Sequence, residues 1–95
     1  MAVGSEQRRQ ERKPRIAGTF RDRHVEAALD LLDLADRAWH DSYGPKDLAL
    51  PDDVLDDVLL LAEGNLAALV QIARAAVIDF RDVRVAADEL RTRTG

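Results

Sequence analysis

The chain contains no cysteine, so disulfide staples, thiolate metal sites and cysteine nucleophiles are excluded at the outset. Aromatic residues are scarce: Phe20, Trp39, Tyr43 and Phe80 are the whole set. Only three prolines and five glycines interrupt the sequence, which leaves long stretches without a helix breaker. No segment approaches the roughly 20 consecutive apolar residues of a membrane span, and the basic start MAVGSEQRRQERKPRIAG has no apolar run behind it to make a secretory signal. A cytoplasmic protein is the expectation. G-x-S-x-G, a phosphate-binding glycine loop and zinc-ligand spacing are all missing as well.

What is abundant is Ala, Leu and Val. These suit helices, because Ala and Leu lose little on entering one, whereas β-rich domains favour aromatic and β-branched side chains. At 95 residues the chain makes one small domain with a modest core, too small for a roomy enclosed active site. Charge is uneven. Residues 1–23 hold seven Arg or Lys against Glu6, Glu11 and Asp22, yet the whole chain carries a net charge of −4. The expected molecule has a basic arm and an acidic body.

Residues 1–18 are polar, lack an apolar period and contain Gly4, Pro14 and Gly18, so they are expected to form a flexible, disordered arm. Residues 19–95 are expected to form the helical domain, with helices over about 20–42, 51–63 and 65–92. Thr19, with Asp22 three positions on, reads as the start of the first helix. Its apolar stripe is Val25, Ala28, Leu29, Leu32, Ala35 and Trp39, with Asp33 and Arg37 as a surface pair and Gly44 and Pro45 as the stop. Pro51 begins the second helix. Gly64 ends it, and Asn65 caps the third.

Leu66, Leu69, Ala73, Ala76, Phe80, Val83, Ala87 and Leu90 follow one another at spacings of three and four, the pattern of a coiled-coil seam. VIDFRDVRV partly alternates like a strand, but the alternation fails at Asp82 and a lone strand would have no partner. The sequence therefore predicts an all-α, three-helix antiparallel bundle with a long C-terminal helix. A second helix of ~13 residues covers only about 20 Å, which leaves the long pair partly bare. Ile78 and Val85 lie off the seam, and a helix apolar on more than one stripe needs more than one neighbour. Pairing in a homodimer through the ends of helices one and three, with Val77, Ile78, Phe80, Val83, Val85 and Leu90 at the contact, is the economical solution.

Trp39 and Tyr43 are expected to close one end of the core; facing solvent, they would be the first candidates for partner contact. Asp52, Asp53, Asp56 and Asp57 spell DDxxDD, which resembles the aspartate-rich helix motif of isoprenoid synthases, where such carboxylates hold magnesium ions against a diphosphate. That family needs a larger helical cavity and a second metal-binding segment, neither of which fits here. First-turn acids beside a helix dipole account for the string, with a metal-dependent activity as an alternative reading. Arg8, Arg9, Arg12, Lys13 and Arg15 could neutralise phosphates, so a small nucleic-acid-associated regulator is another alternative, although no aromatic residues are interleaved for stacking. His24 and His40 are four helical turns apart, and no candidate nucleophile accompanies His40 beside Asp41. The expected function is a non-catalytic protein–protein interaction module with no catalytic residues, metal or cofactor.

Overall fold

The computed structural model describes residues 2–44, 46 and 48–94, with residues 2–5 and 94 described by backbone alone. They form an all-α domain of four helices: α1 (Ala2–Ala17), α2 (Val25–Tyr43), α3 (Asp52–Ala62) and the long α4 (Leu66–Thr94). A 3-10 turn over Asp22–His24 leads into α2, and no strand occurs among the described residues.

The first difference from the sequence reading is α1, which stands where a flexible arm is expected. Among its described side chains the one large apolar anchor is Ile16, which is fully buried, and the other contacts shown with the body are ionic. An apolar period is therefore missing because arginine stems and paired charges take its place. Thr19 then serves the end of α1 rather than the start of α2, since its hydroxyl donates to the Arg15 carbonyl at 3.1 Å. Phe20 follows into the core, and α2 begins later than expected, at Val25.

Along α2 the predicted stripe is the buried face: Val25, Ala28, Leu29, Leu32, Ala35 and Trp39 all enter the core. Gly44, at φ 98°, ends the helix and its amide donates to the His40 carbonyl. Pro45, the other expected stop, lies outside the described residues. The α3–α4 turn follows the expected chemistry. Glu63 is left-handed at φ 50°, Gly64 sits at φ 74°, and Asn65 Oδ1 accepts from the Ala68 amide at 2.9 Å as a cap. Glycine is required at 64 twice over, because an added Cβ would lie 2.5 Å from the Thr19 carbonyl oxygen.

The predicted seam of α4 faces inward, with Leu69, Ala73, Ala76, Val83 and Ala87 buried. Yet α4 is not one straight rod. Asp79 has φ −155° and ψ 95°, an extended conformation, so the helix bends between a segment 66–78 and a segment 80–94. This bend falls in the one stretch whose sequence also alternates like a strand. Val83, expected on the self-association surface, is buried in the core of this fold, whereas Ile78 and Val85 are exposed.

Candidate interaction surface

Among the described residues two aspartates are almost fully buried, and each is clamped by arginines from another helix. Asp36 of α2 is 2% exposed. It accepts from both terminal nitrogens of Arg12, at 2.8 and 3.1 Å, and from the Leu50 amide at 3.0 Å. Arg8 adds a positive charge 3.4 Å away without an aligned hydrogen bond. Asp57 of α3 is equally buried, between Arg84 and Arg91 of α4, the latter at 2.9 Å. A buried carboxylate is tolerated only with such partners, and bidentate guanidinium pairing is the geometry that compensates best for lost water. The two clamps tie α1 to α2 and the far half of α4 to α3.

These pairings decide what the expected charged sites do. Arg9 contacts Glu26, Asp30 and Asp33, each within 2.9 Å, and its pKa is raised chiefly by the hydrogen bond to Glu26. Lys13 reaches Glu26 at 3.9 Å and Arg15 reaches Asp56 at 2.7 Å. All five basic residues that could have met phosphates thus meet carboxylates of α2 or α3. Asp33 is taken by Arg9 and not by Arg37, so the expected surface pair is replaced by one between helices.

The aspartate-rich string is likewise drawn to arginines. Asp53 pairs with Arg84 at 2.8 Å and accepts from the Val54 amide, and Arg84 is the first cause of its lowered pKa. Asp56 goes to Arg15 and Asp57 to Arg84 and Arg91, while Asp52 is exposed in the first turn. Among the described residues no group of three or more His, Asp or Glu side chains is placed to hold a metal ion. Asp57 is the member that sequence reasoning misjudged, because it is core rather than solvated face. No helix among the described residues is long and apolar enough to cross a membrane.

Trp39, Tyr43 and Phe80 form one aromatic cluster, with ring centroids 4.2 Å apart for Trp39–Tyr43 and 5.7 Å for Trp39–Phe80. Trp39 is buried, as expected of a core-closing residue, and Tyr43 is partly exposed with its hydroxyl donating to the Val77 carbonyl at 3.2 Å. The cluster braces the bend of α4. Beside the bend, the Asp79 carboxyl is held below its ordinary range first by the Arg81 side chain and then by the Arg81 amide.

The remaining feature is apolar. A groove of about 320 Å³ runs between α2 and the near half of α4, lined by Leu31, Leu34 and Ala38 on one side and Val70, Val77 and Ile78 on the other. Leu34, Val70 and Ile78 are 59%, 46% and 73% exposed. Large side chains so exposed along one groove form a contiguous patch, which isolated surface hydrophobics do not. Val85, also exposed, lies beyond the bend. Among the described residues Arg74 is the one charged side chain lining the groove. No family model, curated protein or solved structure matches this chain.

Proposed function

We propose that the protein is a non-catalytic helical association module that pairs with a second copy of itself through the α2–α4 groove. The observation that carries the reading is the exposure of Leu34, Val70 and Ile78 around one apolar depression. Removing such surface from water contributes roughly 25 cal/mol per Å².

A second copy is the occupant that the charges around the groove favour. Arg37 and Arg74 stand beside it on α2 and α4, and Asp41 lies one turn beyond Ala38 on the same side of α2. None of these three has an ion-pair partner among the described residues, in contrast to the fully paired arginines of α1. A two-fold contact sets each residue of one protomer against a different residue of the other. A face bearing unpaired charges of both signs around an apolar centre is therefore suited to meet its own copy, with Arg74 facing Asp41 across the axis.

Sedimentation velocity on the full chain and on Leu34→Glu and Ile78→Glu tests this reading. The expected result is a dimer at tens of micromolar that each substitution converts to a folded monomer. A wild-type chain that remains monomeric at that concentration overturns it.

A further inference from the structure

In a continuous α-helix the Arg81 amide would donate to the Val77 carbonyl, four residues back. The bend at Asp79 separates the two groups and gives each another partner. Arg81 N–H donates to Asp79 Oδ1 at 3.0 Å, and the Val77 carbonyl accepts from the Tyr43 hydroxyl at 3.2 Å. Asp79 is thereby an N-cap for the far segment: its backbone is extended, and its carboxylate satisfies an amide of the first turn. Straightening would let the same amide and carbonyl satisfy each other. The chain thus has two arrangements at this point, and the Arg81 amide and the Val77 carbonyl each have a partner in either.

The sequence is compatible with both. No Gly or Pro lies between Leu66 and Thr94, and the apolar spacing of three and four passes through residue 79 without a skip. Beyond the bend, Val83 and Ala87 enter the core, while Arg84 and Arg91 grip Asp57 of α3. Because α3 is the same in every copy, those contacts can be made with a second chain as well as within one. Exchange of an identical element differs from the closed form mainly at the hinge. Straightened, the 15 residues 80–94 reach about 22 Å past the hinge.

We propose that Asp79 is the hinge of a bent-to-straight switch in α4, through which residues 80–94 are exchanged between two copies, each arm closing on α3 of the other around Asp57. The inference rests on the self-association reading, because copies held face to face raise the effective concentration of each arm at its neighbour.

Two substitutions push the switch in opposite directions. Asp79→Ala removes the cap and favours the straight form. Phe80→Pro fixes the bend, since proline suits the first helical position and holds the preceding residue out of helical geometry; Phe80→Ala controls for the lost ring. Exchange is read by mixing full-length Leu61→Cys chains with Ala86→Cys chains, whose altered positions line one cleft between α3 and α4. A short bis-maleimide then links different chains only if an arm has crossed. Mixed cross-links are expected to form and to be absent with Phe80→Pro in both chains but present with Phe80→Ala. The dimer association constant should rise by at least about fivefold with Asp79→Ala, the effect of losing a typical cap.

Equal cross-linking in the Asp79→Ala and Phe80→Pro backgrounds overturns the hinge, and so does a dimer that gives no mixed cross-link. A dimer of the latter kind that Leu34→Glu dissociates leaves the groove reading intact. A wild-type monomer whose Asp79→Ala variant dimerises and cross-links overturns the groove reading and supports the hinge.

Discussion

Arg12 shows how unequal the ion pairs of this protein are. It lies almost entirely out of solvent against an equally buried Asp36, so removing it strands a carboxylate, and breaking such a pair costs about 3–5 kcal/mol. Arg8, 3.4 Å from the same carboxylate, recovers part of that. We expect Arg12→Met to lower stability in urea denaturation by about 2–4 kcal/mol. Arg9→Met should cost less than about 1 kcal/mol even though Arg9 touches three carboxylates, because Glu26 and Asp30 are open to water. Equal effects would mean that burial is not what sets the strength of the Arg12 clamp. Asp53 provides a pH-dependent counterpart. Its folded pKa lies below the ordinary 3.8, so its contribution is present above that value and is lost as pH falls through the lowered one. The stability gap between wild type and Asp53→Asn should be constant near pH 6 and close as pH falls below the ordinary carboxyl value of 3.8.

Among the elements, α2, α3 and the Glu63–Asn65 turn were legible because apolar spacing and turn chemistry are local signals. Gly64→Ala should confirm the turn: a left-handed position and the Thr19 carbonyl both oppose a side chain, so a loss of about 1–3 kcal/mol is expected in thermal or chemical unfolding. Helix α1 was not legible from hydrophobic periodicity, since its partners are acids some 24 positions away. A charge-based signal was present. Arg8 and Arg12, like Arg9 and Lys13, recur at a spacing of four, and Glu26, Asp30 and Asp33 recur at four and three, which gives a basic and an acidic helix face that could meet. Asp36 also fills a place in the apolar series Leu29, Leu32, Asp36, Trp39, and an acid in such a series needs a cation. The bend in α4 escaped because it breaks no propensity rule; it is seen only in the Asp79 backbone, in the Arg81 amide bound to the Asp79 carboxylate and in the Tyr43 hydroxyl bound to the Val77 carbonyl. Since the Arg9 and Arg15 pairs are screened far more than Arg12–Asp36, raising NaCl from 0.05 to about 1 M should loosen α1 at its outer contacts first. Amide exchange near Arg9 would then speed up before that near Arg12.

At the scale of the whole molecule, the domain satisfies its buried charges internally and leaves an apolar groove uncovered. Most of the formal charge that would suggest a nucleic-acid or metal partner is spent on holding four helices together. The groove between α2 and α4 differs: among the described residues no element covers its apolar walls, and Arg37, Asp41 and Arg74 beside it have no ion-pair partner. A concentration series in the analytical ultracentrifuge, from about 1 to 100 μM, with wild type and Leu34→Glu run side by side, tests the central claim most directly. The account predicts that wild-type mass rises to that of two chains while Leu34→Glu stays at one chain with unchanged helical circular dichroism. Two species of identical, concentration-independent mass would contradict it.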